Sequence, residues 1–153
     1  MNADEIEIRN AKLADLQDLQ QFLKPFVAAE QILPRSDDEL SVLIMHGFVA
    51  EAKEEIVGFS AVEIYSKKLA EIQSIAVAPP MQGKGLATEL VRRCVERAES
   101  EGVLELMAIT ASESPFRSVG FDYSLPNQKR ALFLQTRSQN RISAAGQGSD
   151  TDE

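Results

Sequence analysis

The spacing of apolar side chains changes period several times along the chain, and each change marks a new element. Residues 5–9 alternate apolar and polar, which is typical of a strand with one buried face. Residues 12–29 then repeat apolar side chains every three or four positions, which predicts a helix, and Pro25 predicts a kink or an early stop near its end. The chain is therefore expected to open with a strand and a helix.

A second helix and three strands are predicted next. Ser36 with Glu39 three residues later is a capping box, so a helix should begin there, run through about Met45 and close at Gly47. The pattern then takes the period of strands, and the predicted strands are residues 48–53, 56–66 and 69–78. The first two flank a turn and form a hairpin, and the third is apolar enough for burial on both faces.

A long amphipathic helix follows these strands. Its apolar face runs from Leu86 to Ala98, and Gly102 should end it. After it the sequence predicts a strand at 103–110, a short helix at 114–120 and two closing strands at 121–124 and 129–136. This order predicts an α/β fold built on a mixed sheet, in one domain of residues 1–137, followed by a polar and disordered tail at 138–153.

Composition narrows the classes of function. The 153 residues suffice for one domain, and no apolar run is long enough to span a bilayer. The net charge of −8 disfavours nucleic acid as a partner, because an acidic surface repels phosphates. One cysteine excludes an internal disulfide, one histidine leaves no zinc site, and the acidic N-terminus lacks the features of a signal peptide. We expect a cytoplasmic protein with no metal, no membrane and no nucleic acid among its partners.

The segment between the predicted strand at 69–78 and the long helix is rich in glycine. Gly83 and Gly85 flank Lys84, directly before an amphipathic helix. Glycines permit a sharp turn that exposes backbone N–H groups, and the start of a helix adds unpaired donors and a positive dipole end. The loop is suited to a pyrophosphate, although the glycines could equally serve the turn alone. It matches neither a Walker loop nor a Rossmann fingerprint.

Two motifs resemble those of the GNAT superfamily of N-acetyltransferases. Gln82, Gly85 and Ala87 fit the signature Q/R-x-x-G-x-G/A, which binds the pyrophosphate of coenzyme A in that family. Residues 114–121 resemble the short helix that ends in a Gly–Phe pair. The resemblance spans residues 5–136 and implies the GNAT fold, a central twisted mixed sheet flanked by helices. It also implies acetyl-CoA as the co-substrate, with no metal.

The resemblance carries a set of coenzyme A contacts onto the strand before the loop, the loop and the start of the helix. The implied residues are Ile75, Ala76, Val77, Gln82, Gly83, Lys84, Gly85, Leu86, Ala87, Thr88 and Phe116. In the family a splayed strand leaves backbone groups free to bond the pantetheine arm. The N–H of Ile75 is therefore a candidate donor to the carbonyl oxygen of the thioester.

Acetyl transfer needs a base for the amine and a proton for the departing thiolate. Glu71 lies among apolar residues where desolvation would raise its pKa, and relatives use a glutamate at this strand position as base, often through water. It could instead face solvent or pair with a lysine. Many relatives carry a tyrosine as general acid where this chain has Phe116. The thiolate would then leave unaided, or take a proton from water, Tyr123 or Ser124, although Tyr123 could also be a packing or interface residue.

Residues 32–36 resemble a stretch of the acetyltransferase domain of N-acetylglutamate synthases. This implies a small amine as substrate, with glutamate favoured. Arg35 could hold one carboxylate of it bidentately, and Lys129 or Arg130 could hold the other. Arg35 could instead be a surface arginine paired with the aspartates that follow it.

Three functions are consistent with these features. The first is an amino-acid N-acetyltransferase that works by direct attack in a ternary complex. The second is a GNAT enzyme acting on protein termini, lysines or polyamines, and the third is a non-catalytic acetyl-CoA-binding module. Homodimers are common among relatives, so a homodimer is open here too.

Overall fold

The computed structural model describes residues 5–125, 127 and 129–136, and its centre is a mixed sheet. The five strands are β1 (Ile6–Asn10), β2 (Gly47–Ala52), β3 (Glu55–Ile64), β4 (Leu69–Val77) and β5 (Glu105–Ala108). They lie side by side in chain order. The pairs from β1 to β4 are antiparallel, and β4 pairs with β5 in parallel. The predicted α/β class with a mixed sheet is confirmed.

Four helices accompany the sheet. They are α1 (Leu16–Ala28), α2 (Asp37–Ile44), α3 (Leu86–Ser100) and α4 (Ser114–Arg117), with a short 3-10 turn before α1. The predicted capping box is present at the start of α2. The Ser36 N–H donates to Glu39 Oε1 at 2.8 Å, and the Glu39 N–H donates to Ser36 Oγ at 3.1 Å. These bonds satisfy donors that the first turn would otherwise leave unpaired.

The helices cover both faces of the sheet and enclose two apolar cores. On one face α3 buries Leu90 and Cys94 against the sheet. On the other face α1 and α2 bury Leu19 and Leu40 around Phe59 of β3. Each fully buried side chain of this size contributes roughly 1.5–3 kcal/mol of transfer free energy. The two cores hold the sheet between its helices.

One predicted interruption does not occur. Helix α1 continues through Pro25 to Ala28, and the Ala29 N–H donates to the Pro25 carbonyl at 3.0 Å. The predicted early stop is therefore wrong. Proline removes only the bond to the carbonyl of Gln21. Because Gln21 is exposed, water can bond that carbonyl instead.

The two predicted closing strands are also wrong for the residues that the structure describes. Residues 121–124 contain no strand and 129–136 contain a single bridge, between Leu125 and Lys129. The segment 129–136 contains a continuous apolar run instead of an alternating pattern, so it does not specify a buried face. The predicted strand at 103–110 is shorter, Glu105–Ala108.

A bulge divides β4 into two parts. Its register on β3 passes from Ala61↔Gln73 to Phe59↔Ala76, and Ser74 takes a left-handed φ of 58°. Pairing with β5 ends before the bulge, at Ile72. The first part of β4 is thus paired on both edges, whereas the second part has one edge free of β5. Burial on both faces, which the apolar pattern predicted, holds only in part, because several side chains of β4 are half-buried.

Contacts group the chain into two compact units, one up to Phe121 and one from Asp122 onward. The predicted domain of residues 1–137 and its tail stay predictions, because residues 137–153 lie outside the described part. Among the described helices, none is long and apolar enough to cross a bilayer.

Candidate active site

A cleft of about 450 Å³ opens where the second part of β4 leads into α3. The loop before α3 and the first turn of α3 form part of its wall, which is completed by Phe26, Gln31, Ser112, Ser114, Pro115 and Phe116. The predicted coenzyme A residues on this wall are Ile75, Ala76, Val77, Gln82, Gly83, Gly85, Leu86, Ala87, Thr88 and Phe116. Lys84 is exposed in the same loop but does not line the cleft. The structure thus brings all of these predicted residues except Lys84 together, and their role as ligands stays a prediction.

The loop before α3 has the backbone geometry of an anion cradle. Gly83 and Gly85 have φ values of 78° and 84°, which residues with a Cβ rarely adopt. Apart from the glycine and its two chain neighbours, no residue has an atom within 4 Å of the place where either Cβ would be, so both positions border open space. The first helical bond runs from the Glu89 N–H to the Gly85 carbonyl at 3.1 Å. The N–H groups of the first turn that precede Glu89 therefore have no helical acceptor, and they lie at the positive end of the helix dipole.

The second part of β4 offers backbone groups to the cleft. The Ala78 N–H donates to the Val57 carbonyl on β3 at 2.8 Å. Because antiparallel pairs alternate, the backbone of Val77 faces away from β3, whereas Ile75 lies next to the bulge and its N–H stays a predicted donor. The Gln82 side-chain amide donates to the Val77 carbonyl at 3.0 Å, which is consistent with this direction. Gln82 thereby ties the loop to the end of the strand.

Phe116 closes one side of the cleft. Its ring is buried and packs edge-on against Phe121, with centroids 5.5 Å apart at 83°. A phenylalanine ring cannot donate a proton, so no general acid is available at this position.

The first part of β4 carries a polar network on the face covered by α1 and α2. Glu71 and Glu63 are directly opposite each other in the β3–β4 register. The Tyr65 hydroxyl donates to Glu71 Oε1 at 2.6 Å. Partial burial and this carboxylate raise the pKa of Tyr65 to about 12, so the phenol stays protonated and acts as a donor. Glu71 is half-buried and held by this bond, so it is not the solvent-facing or lysine-paired residue of the alternative.

Gln73 joins this network to Arg35. Its Nε2 donates to Glu63 Oε1 at 3.0 Å, to Glu71 Oε1 at 3.2 Å and to the Tyr65 hydroxyl at 3.3 Å. Its Oε1 accepts from Arg35 Nη2 at 3.0 Å. One side-chain amide therefore touches the candidate base and the candidate carboxylate anchor together.

Arg35 is a partly buried cation with unused donors. Its Nε atom is buried and has no hydrogen-bond partner among the described residues. Within the same residues, no carboxylate oxygen lies within ion-pair distance of its guanidinium, so the predicted alternative of a pair with the neighbouring aspartates is not formed. Gln20 of α1 fixes the backbone here, donating to the Arg35 carbonyl at 3.1 Å and to Asp37 at 3.0 Å.

The cleft and the network share two chain segments. The connection from α1 to α2 gives Gln31 to the cleft and Arg35 to the network, and β4 gives Ile75 to the cleft and Gln73 to the network. Glu71 and Arg35 do not themselves line the cleft. The two places are thus adjacent along the strand and distinct.

Three members of the network, Glu63, Tyr65 and Gln73, were not singled out by sequence reasoning. The signal for Glu63 was available, because a hairpin turn at 66–68 sets the cross-strand register and brings residue 63 opposite residue 71. Gln73 and Tyr65 extend the same face by the two-residue period of a strand. The contact with Arg35 had no local signal.

Two predicted residues belong to the second compact unit. The Tyr123 N–H donates to Asp122 Oδ1 at 2.7 Å, and the Lys129 carbonyl accepts the Leu125 N–H at 2.7 Å. The roles of Tyr123 and Lys129 stay predictions. As for metals, no three His, Cys, Asp or Glu side chains converge to hold an ion anywhere in the described ranges.

Comparison with known sequences gives a consistent picture. A family model described as the acetyltransferase (GNAT) family matches residues 13–121. An uncharacterized N-acetyltransferase of Chlorobaculum tepidum is 31% identical over 121 residues, which is 79% of this chain and 78% of that protein. An amino-acid acetyltransferase of Ralstonia nicotianae is 30% identical over 132 residues, which is 82% of this chain but 29% of that protein.

Solved structures show the same fold. The Mycobacterium tuberculosis protein Rv2747, in complex with CoA and NLQ, superposes with a TM-score of 0.70 at 21% identity, covering 90% of this chain and 81% of that one. N-acetylglutamate synthase of Neisseria gonorrhoeae, complexed with coenzyme A and N-acetyl-glutamate, gives a TM-score of 0.69 at 21% identity. That alignment covers 94% of this chain and 32% of the synthase.

Proposed function

Because the chain belongs to the acetyltransferase (GNAT) family, it is an N-acetyltransferase that uses acetyl-CoA, and we propose that its acceptor is an amino acid such as glutamate. The observation that carries this proposal is the buried, unpartnered Nε of Arg35 beside a network that contains Glu71. A buried donor without a partner costs about 1–3 kcal/mol, and an acceptor carboxylate would remove that cost. The network thus suits a molecule that carries a carboxylate and an amine on neighbouring atoms.

The cleft fits the donor. The free N–H groups at the start of α3, with the open space beside Gly83 and Gly85, suit the pyrophosphate of coenzyme A. The free edge of β4 suits the amides of the pantetheine arm. When bound, acetyl-CoA supplies an activated acetyl carbonyl. The Ile75 N–H would donate to the oxygen of that carbonyl as its negative charge grows.

Glu71 is the proposed base for the acceptor amine. It lies four residues before Ile75, about 13 Å along an extended strand at about 3.3 Å per residue, which one water cannot bridge, so we propose that a chain of waters carries the proton from the amine to its carboxylate. The amine lone pair then forms the C–N bond, the C–S bond breaks, and the nitrogen releases its remaining extra proton to water. Since Phe116 has no proton to give, the sulfur takes its proton from water.

Direct attack on the thioester is favoured over an acetyl-enzyme. The only cysteine, Cys94, is fully buried in the core under α3, and burial raises its pKa to about 12. A thiol in that state is a poor nucleophile and has no access to the cleft.

The relatives support an amino acid as acceptor. An amino-acid acetyltransferase and an N-acetylglutamate synthase both resemble this chain, which spans 29% of the first and 32% of the second. We extend the proposal to a place in arginine biosynthesis and to the cytoplasm.

A second candidate acceptor is a polyamine. Glu63 and Glu71 lie opposite each other and both accept from Gln73, and two carboxylates on one face would attract a molecule with more than one positive charge. Arg35 would repel that acceptor, which is why we place the amino acid first.

The decisive experiment is coenzyme A release from acetyl-CoA with a panel of acceptors: glutamate, other amino acids, polyamines and a lysine peptide. We expect turnover with amino acids, and turnover with polyamines alone would favour the second candidate. No turnover anywhere, with coenzyme A still bound, would favour a non-catalytic binding module.

The donor site has its own test, with a matched control. Gly85→Glu should abolish coenzyme A binding, measured by calorimetry, because it puts a carboxylate where the pyrophosphate belongs. Gly102→Glu carries the same side chain at a similar positive φ of 74°, also beside open space but past the other end of α3. It should bind normally, and equal loss in both variants would remove the site from this loop.

A further inference from the structure

We propose that Gln73 is a positioning residue that keeps Arg35 apart from Glu63 and Glu71, so that the guanidinium stays available to the acceptor carboxylate. The proposal rests on the proposed function, and it assigns a role to a side chain that neither the motifs nor the cleft pointed to. Its basis is the set of four hydrogen bonds that one amide makes to four partners.

The partners determine which way the amide lies. Arginine can only donate and an ionised carboxylate can only accept, so Oε1 must face Arg35 and Nε2 must face Glu63 and Glu71. The reverse orientation would set donor against donor and acceptor against acceptor. The amide is therefore a neutral spacer with one polarity, lying between a cation and two anions.

Without this spacer the Arg35 guanidinium would form an ion pair with Glu63 or Glu71. The guanidinium and both carboxylates lie within hydrogen-bond distance of the same small group, and no ion pair joins them in the described structure. An arginine freed from Gln73 could swing onto either carboxylate and form a bidentate pair. A pair with either carboxylate would neutralise the anchor, and a pair with Glu71 would also occupy the proposed base.

The backbone supports a fixed position for Gln73. It precedes the bulge at Ser74, pairs opposite Ala61 on β3 and directly follows Ile72, the last residue of β4 that pairs with β5. Arg35 hangs from a loop whose backbone Gln20 and the start of α2 hold in place. The spacer is thus anchored on the sheet, while the side chain that it restrains comes from the loop.

The first test uses structure and needs no substrate. A crystal structure of Gln73→Met should show the Arg35 guanidinium in an ion pair with Glu63 or Glu71, at a distance below about 4 Å. Methionine has nearly the same length but no amide. A guanidinium that keeps its place in this variant would overturn the proposal, whatever the enzyme acetylates.

The second test is kinetic, with L-glutamate and its α-amide as acceptors. Gln73→Met should raise KM for glutamate by about 10-fold or more, lower kcat, and reduce the preference for the acid over the amide. The double variant Gln73→Met/Glu63→Gln removes one competing carboxylate and should recover part of the loss in KM. Gln21→Met, the same change at an exposed position of α1, is the control and should behave as the wild type.

The outcomes separate the two claims. Suppose that the wild type acetylates glutamate and that Gln73→Met prefers glutamate over its α-amide as strongly as the wild type does. This result would overturn the spacer role and leave the proposed function standing. No turnover of any amino acid by the wild type would overturn the proposed function, and the crystal structure of the variant would still decide the spacer role. Unchanged coenzyme A affinity in each variant shows that the fold is intact.

Discussion

Two partly buried arginines beside the same sheet have opposite surroundings. Arg9 on β1 donates through Nε and Nη2 to Glu51 at 3.1 Å, and through both Nη atoms to Asp15 at 2.9 Å. It also reaches the Asn10 carbonyl at 2.9 Å. In the described part of the chain, the side chain of Arg35 has one hydrogen bond, to Gln73, and a buried Nε with no partner.

The difference separates a structural arginine from one available to a ligand. Arg9 ties β1 to β2 and to the residue that precedes α1, and its charge is matched by two carboxylates. Beside it the pKa of Asp15 and the pKa of Glu51 are both lowered, chiefly by hydrogen bonds from Arg9. A guanidinium in that position has nothing left to offer a ligand. Arg35 keeps both charge and donors, which is costly for stability and useful only if something binds.

The largest expected effect is on stability, at the network of Arg9, Asp15 and Glu51, which we call the closed network. Arg9→Met should lower the free energy of unfolding by about 3 kcal/mol, because two carboxylates lose a charged partner in a partly buried place. Urea denaturation followed by circular dichroism measures this. Coenzyme A affinity at low temperature should not change. A loss below about 0.5 kcal/mol would mean that the network is solvated and contributes little.

We call the network of Arg35, Gln73, Glu63, Glu71 and Tyr65 the open network. The matched change there should affect catalysis. Arg35→Met should lower kcat/KM for an amino-acid acceptor by about 10- to 100-fold, chiefly through KM, because a charge-assisted bond to the carboxylate is lost. The free energy of unfolding should not fall, and it should rise by up to about 1–3 kcal/mol, because the variant removes the buried Nε donor that has no partner. Equal losses for acceptors with and without a carboxylate would argue that Arg35 only shapes the loop.

The pH dependence of stability should come from the closed network. The folded-state pKa values of Asp15 and Glu51 lie below their usual values of 3.8 and 4.5, so their contribution is present above about pH 4.5. It is lost as the pH falls through the lowered folded-state values. In Arg9→Met the loss of unfolding free energy on acidification should be smaller by about 1–2 kcal/mol, measured from urea midpoints across the acid range. In Arg35→Met this loss should be as large as in the wild type.

The smallest expected effect concerns Tyr65, which orients Glu71 in the open network. Tyr65→Phe should lower kcat by about 3- to 10-fold with little change in KM, because one neutral-to-charged hydrogen bond that positions the carboxylate is removed. Steady-state kinetics at saturating acetyl-CoA measures this. A change in KM alone would place Tyr65 in acceptor binding instead.

Local signals in the sequence predicted most of the fold. The capping box at Ser36 and the hairpin through β2 and β3 depend on neighbouring residues, and both are present. The loop around Gly83 and Gly85 was also predicted from its glycines, and it forms one wall of the cleft. In each case a few adjacent residues determine the backbone, so the pattern alone is sufficient.

Distant contacts explain what the sequence did not predict. Arg35 meets Gln73 across 38 positions, and Arg9 meets Glu51 across 42. Nothing in the spacing of apolar residues determines such pairs. The closing strands failed for a related reason: an apolar segment near the end of the chain forms a strand only if another strand offers it a register, and periodicity does not report that partner.

The central claim is that the unpartnered Nε–H of Arg35 donates a hydrogen bond to the carboxylate of the acceptor. NMR tests this claim directly. In a proton–nitrogen correlation spectrum of the protein with coenzyme A bound, the Arg35 Nε–H resonance is assigned by its loss in Arg35→Lys. Adding L-glutamate should shift this resonance downfield and leave that of Arg9 unchanged, while the α-amide should have little effect. An Arg35 resonance that does not move at glutamate concentrations that saturate turnover would contradict the account.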